Sequence, residues 1–197
     1  MDIINMMKPS SRRRNARFDF LPSFCSCFLL LTITVLVMGR KLFIGDAESD
    51  YLGTFLVEAE RFLHGEPLLL KFHLPLYSIV IACLNYFLNN WFVTGLLLSW
   101  ISSVSLIVIL FAFFRNLSGP WAALGAVLGL ASSPAFLVHA ATASSDVFFL
   151  ALYSSSLMMA LNAVEKKSHF YWLLTGFFTA LALLTRTNSV ALLPLFL

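Results

Sequence analysis

Acids and cations stand out sharply in this chain, because almost everything around them is apolar. Three short clusters and one isolated arginine have side chains able to do chemistry. The first cluster is Gly45-Asp46-Ala47-Glu48-Ser49-Asp50-Tyr51. The second is Lys71-Phe72-His73-Leu74-Pro75-Leu76-Tyr77, and the third is Ala143-Ser144-Ser145-Asp146-Val147. Carboxylates such as these accept protons or hold cations, and Lys, His and Arg stabilise anions. The isolated cation is Arg186, between the apolar run 171–184 and another apolar block from Val190.

Each has a plainer alternative. Asp46 suits the N-cap of a following helix, with Glu48 and Asp50 favoured by its positive end. Asp146 suits the cap of a helix starting at Val147. His73 reads equally as an interfacial polar residue before a proline, and Lys71 as a side chain snorkelling to headgroups. Gly125 and Gly129 form a small-xxx-small pair read as helix packing. The glycosylation pattern Asn116-Leu117-Ser118 is set aside because it falls on the side assigned to the cytoplasm. Cys25, Cys27 and Cys83 read as small buried hydrophobes.

The elements that must position these residues are membrane helices. Of 197 residues, 59% are hydrophobic and 12% charged, against about 25% charged in soluble domains. The apolar residues come in long blocks without strict periodicity, as in lipid-facing helices. The formal charge of +3 comes largely from the N-terminus and implies no nucleic-acid partner. Residues 1–19 carry Lys8, Arg12, Arg13, Arg14 and Arg17 before the apolar run Phe20–Met38, the pattern of a cytoplasmic tail and an uncleaved first span. Residues 39–91 form an outer loop. Within it, Tyr51, Leu52, Phe55, Leu56, Ala59, Phe62 and Leu63 recur at helical spacing, predicting an interfacial amphipathic helix ended by His64-Gly65-Glu66-Pro67.

The block Leu74–Leu88 decides the topology. It has 15 residues and includes Asn85, whereas a full span needs about 20. If it crossed, Asp46 and Asp146 would lie on opposite faces. If it is half-embedded, the tail, Arg115 and Lys166-Lys167 all become cytoplasmic, as the positive-inside rule prefers. Both acidic loops then share the outer face, so the expected architecture is an all-α polytopic bundle. Its spans fall near 20–38, 92–114, 121–138, 147–163 and 171–197, the last incomplete because the chain stops within an apolar run. The run 171–184 rises only about 21 Å, short of a core about 30 Å thick. Arg186 therefore falls within the outer half of the membrane, where a cation is costly and usually functional. A short helix with a snorkelling end is the alternative. A partner anion is expected, a lipid phosphate being the natural one.

The order of these features resembles the GT-C superfamily of integral-membrane glycosyltransferases. The similarity is to the branch with protein O-mannosyltransferases, aminoarabinose transferases and their bacterial relatives. It rests on Asp46-Ala-Glu48-Ser-Asp50-Tyr51, His73-Leu-Pro75-Leu76-Tyr77, Ser144-Ser145-Asp146 and Ala182-Leu-Leu-Thr185-Arg186-Thr187-Asn188, and runs from about Gly45 to Leu197, covering the family's N-terminal portion. Two departures stand out: Ala47 occupies the usual place of the first acid, and His73-Leu74 replaces a Lys-Pro. The resemblance implies a polyprenyl-phosphate sugar donor, a hydroxyl acceptor on a glycan, lipid or protein, and a site on the outer face of a membrane, such as the bacterial inner membrane. It implies Asp46 as general base with Glu48 second, and Lys71, His73 and Arg186 at the lipid phosphate. Asp146 would orient the acceptor or, with Asp46, bind a divalent metal, as some relatives do; no other cofactor is implied. A transporter or flippase of lipid-linked or small polar substrates is the competing reading, and a non-catalytic assembly subunit a third.

Overall fold

The computed structural model describes residues 50–68 and 74–196. Among these there is no strand. A π-helical turn, Tyr51–Phe55, runs into α1 (Leu56–Leu63). There follow α2 (Leu76–Leu88), α3 (Trp91–Ser118), α4 (Pro120–Ala131), α5 (Pro134–Ala141), α6 (Ser145–Lys166) and α7 (His169–Leu183), then a 3-10 segment, Thr187–Phe196. The first apolar run, 20–38, and the basic tail lie outside the described residues.

The interfacial helix forms where its periodicity places it. Tyr51, Phe55 and Ala59, four apart, are its buried line, while Leu52, Phe62 and Leu63 stay exposed. Its end is a Schellman turn: Gly65 takes φ +71, its N–H bonds Phe62 O at 3.1 Å, and Glu66 N–H bonds Arg61 O at 2.9 Å. Arg61 then folds back onto Glu66 and the Pro67 carbonyl.

Among the described residues two helices, α3 and α6, are long and apolar enough to cross a membrane. At 28 and 22 residues they extend about 42 and 33 Å. They run parallel. Ser99 near the start of α3 bonds Ser144 just ahead of α6, and the two C-terminal ends line a common groove through Asn116, Leu117, Leu161, Asn162 and Glu165. The return between them is broken: α4 and α5 meet at a bend of 67°. The run 121–138, expected as one span, is therefore two helices. The cause is local. Pro134 bars its predecessor from helical backbone, and Ser133 is extended at φ −71°, ψ 122°. α7 runs antiparallel to α6 across a buried hydroxyl pair, Ser156 Oγ to Thr179 Oγ1 at 2.7 Å. The expected span over 171–197 does not continue as one helix. α7 stops at Leu183, and the chain goes on as the 3-10 segment from Thr187.

Both ends of α2 are tied to the end of the bundle where α3 and α6 begin. Leu76 N–H bonds Leu184 O, just past α7, at 3.0 Å, and Thr94 in the first turn of α3 donates to Asn85 at 3.3 Å. Thirteen residues give about 20 Å of helix, too short to traverse the core. One buried cluster joins α1, α2 and the head of α3 through Tyr51, Phe55, Tyr77, Ile81 and Leu98. A second fills the α3–α6 interior around Leu106, Phe111, Val127, Phe136 and Val147.

Among the described glycines, the close approach is not at the expected pair. Gly125 and Gly129 face open space, with no described atom near a hypothetical Cβ. At Gly95, by contrast, a Cβ would lie 2.6 Å from both Ala143 Cβ and the Tyr51 ring. Cys83, expected to be buried, is exposed on α2. Gly95→Ala should therefore lower thermal stability in detergent, with overpacking costing about 1–3 kcal/mol. Gly125→Ala should be neutral or slightly stabilising, and equal melting of the two variants would show that the contact at Gly95 does not constrain packing.

Candidate functional site

The head of α6 is built by its own hydroxyls. Ser144, extended at φ −137°, caps the helix by accepting from Asp146 N–H at 3.1 Å. Asp146 is thus not the cap, the plainer role open to it; it sits in the first turn, where a carboxylate suits the positive helix end. Ser99 fixes this loop from α3: its Oγ accepts from Ser144 N–H at 3.1 Å and donates to Ser144 O at 3.2 Å. That reciprocal pair sets the height of Asp146 along the bundle.

Arg186 arrives from the other side. The last turn of α7 closes with Arg186 N–H on Ala182 O at 3.0 Å, and Thr185 Oγ1 donates to Leu181 O at 2.9 Å. The guanidinium then reaches Asp146, Nη1 to Oδ1 at 2.5 Å, while Nη2 approaches Ser145 Oγ at 3.4 Å. The second carboxylate oxygen faces His139 on the last turn of α5, with Nδ1 3.5 Å away and 3.4 Å from Ser144 Oγ. The side chains of His139, Asp146 and Arg186 are 40%, 25% and 30% exposed, respectively. None of the three is fully buried.

The described residues of the other two motifs reach the same end. Tyr51 lies close to Gly95, which Ala143, three residues before Asp146, also approaches, and its hydroxyl donates to Trp91 O at 2.5 Å. Burial pushes its phenol up to about 12, with a backbone hydrogen bond at Gly95 acting in the opposite direction. Leu76, within the second motif, bonds Leu184, two residues before Arg186. Tyr77 packs edge-on against Phe55 and close to Phe148 of α6. The four motif regions therefore converge on one end of the bundle.

Of the site residues read from sequence, Asp146 and Arg186 are brought into contact. Asp46, Glu48, Lys71 and His73 lie outside the described residues. Sequence reading gave His139 no role, since only the bend at Pro134 turns its helix toward Asp146. Among the described residues, no three His, Cys, Asp or Glu side chains gather as metal ligands. Each single substitution, Asp146→Asn or Arg186→Gln, should lower the melting temperature. The double variant should recover part of the loss, with a coupling of about 1 kcal/mol or more for a partly buried pair. Strict additivity in that cycle would mean that the pair contributes no interaction energy.

The sequence pattern described as dolichyl-phosphate-mannose-protein mannosyltransferase matches residues 67–197, more than half of the chain. No curated protein and no solved structure matches the chain significantly. The matched region holds α2 to α7 with both charged partners of the pair, and the all-helical bundle bears out the GT-C-like fold. The chain belongs to the dolichyl-phosphate-mannose-protein mannosyltransferase family, and so to the membrane glycosyltransferases of the mannosyltransferase kind.

Proposed function

We propose that the chain transfers a sugar, mannose by its family, from a polyprenyl phosphate to a protein hydroxyl at the outer face of its membrane. The observation that carries this reading is the Asp146–Arg186 pair, set among segments from all four motifs at one bundle end. The short α2, held at both ends to that same bundle end, supports a half-embedded helix beside which an isoprenoid tail can remain in lipid. Arg115 and Lys166-Lys167 lie at the opposite end, at the C-terminal ends of α3 and α6. By the positive-inside rule that end is cytoplasmic and the site faces outward.

In the reaction, the acceptor oxygen bonds the sugar's C1 while the C1–O bond to phosphate breaks. The bonding pair leaves with the phosphate, and the hydroxyl proton passes to a carboxylate. Asp46 is the base, with Glu48 the second candidate, since a hydroxyl attacks poorly while it keeps its proton. Arg186, with Lys71 and His73, stabilises the departing phosphate. Asp146 aims the guanidinium. Its Oδ1 already faces that cation, an environment that disfavours a divalent metal, so no step uses one. A transporter would set its charged residues near the bilayer midplane within broken helices, whereas here the pair sits at helix termini.

The test is transfer of label from dolichyl-phosphate mannose to protein in membranes carrying the full chain. Asp46→Asn and Asp146→Asn should each abolish transfer without loss of insertion. Arg186→Gln should raise the donor KM about tenfold or more, as expected for a lost charge-assisted contact. Full turnover in both aspartate variants would remove the assignment.

A further inference from the structure

We propose that His139 is a further ligand for the donor's lipid phosphate, held beside Arg186 by Asp146. This rests on the reading that the cluster receives that phosphate. One carboxylate here faces two nitrogen-bearing side chains from different elements: Oδ1 takes Arg186, from beyond α7, and Oδ2 faces His139, from α5. A carboxylate shared in this way holds both partners within a few ångströms of one group, and both remain partly exposed. Asp146 is the most enclosed of the three, and His139 the most open.

The ring's orientation carries the rest. Nδ1 is turned to Asp146 and Ser144, which leaves Nε2 pointing away from the carboxylate. A group holding one ring nitrogen sets what the other can do. With a carboxylate at Nδ1 and a phosphate at Nε2, an imidazolium gives one N–H to each. A phosphate that reaches both Nε2 and the Arg186 guanidinium then gains a charge-assisted donor beyond the guanidinium. The backbone is shaped for this. The 67° bend at Ser133-Pro134 turns α5 away from the line of α4 and brings its last turn, with His139, over the α6 N-terminus.

The experiment measures equilibrium binding of radiolabelled dolichyl phosphate to the purified full chain in phosphatidylcholine nanodiscs. His139→Asn keeps a donor at the level of Nδ1, facing Asp146, but none at Nε2. His139→Gln places a donor near the Nε2 position. His139→Asn should weaken binding about tenfold or more, and His139→Gln should restore most of it, with both variants melting close to the parent. Unchanged binding in His139→Asn, while Arg186→Gln weakens it, would leave His139 as a brace for Asp146 and overturn the proposal alone. Unchanged binding in Arg186→Gln as well would overturn the phosphate reading beneath it. Phosphatidic acid displacing dolichyl phosphate with equal strength would also overturn the assignment, because the cluster would then be a general headgroup site.

Discussion

A guanidinium just past the end of a 15-residue apolar helix is stabilised by a nearby anion, and the site end of this protein is organised around the carboxylate that supplies it. Charged groups in a low-dielectric setting are costly unless paired. Asp146 meets that need from the first turn of α6, where the helix's own positive end already favours a negative charge. The pairing closes the bundle, because it links the start of α6 to the exit of α7. Ser99 and Ser144 then hold that junction at a fixed height against α3.

From this junction the remaining contacts follow. The exit of α7 offers Leu184 O to Leu76 N–H, so α2 starts where the pair is. The turn Asn89-Asn90 brings α2 directly into α3: Asn89 is left-handed at φ +48, and the Asn90 side chain caps α3 by accepting from Val93 N–H. Tyr51 fills the last gap, its ring lodged against Gly95 in a space that a side chain at position 95 would contest. A short helix tied at both ends, an aromatic wedge and a glycine thus place the approach to the first acidic cluster beside the third motif. Membrane enzymes that act on lipid-borne substrates need such an arrangement, because the reacting head must meet polar groups while its tail stays in hydrocarbon.

Much of this was legible in the sequence, for reasons that differ from residue to residue. The interfacial helix and its stop were readable because a period of 3.6 and a glycine able to take positive φ are local signals. Arg186 was readable as a cation in want of an anion because only its depth was needed. Its partner was not readable: the expected lipid phosphate and the observed Asp146 satisfy the same electrostatic demand, and only tertiary structure chooses between them. Ser132-Ser133-Pro134 did carry a local signal for the broken return, but apolar length outweighed it in the reading of 121–138. His139 became relevant only through that break. Gly125 and Gly129 matched a packing pattern yet meet no described neighbour, whereas Gly95, in no pattern, makes the close approach, since such contacts depend on which helix faces which.

All of this requires the loop before α2 and the exit of α7 to lie in one compartment, with the C-terminal ends of α3 and α6 in the other. Labelling with a membrane-impermeant maleimide tests that directly, in a chain whose Cys25, Cys27 and Cys83 are replaced by Ser. Single cysteines go to the exposed positions Glu66 and Asn188 at the site end, and Asn116 and Lys167 at the far end. Positions 66 and 188 should react in sealed vesicles of one orientation, and 116 and 167 only when the membrane is opened. Labelling of 66 and 188 from opposite faces would mean that α2 crosses, and the shared site would not exist.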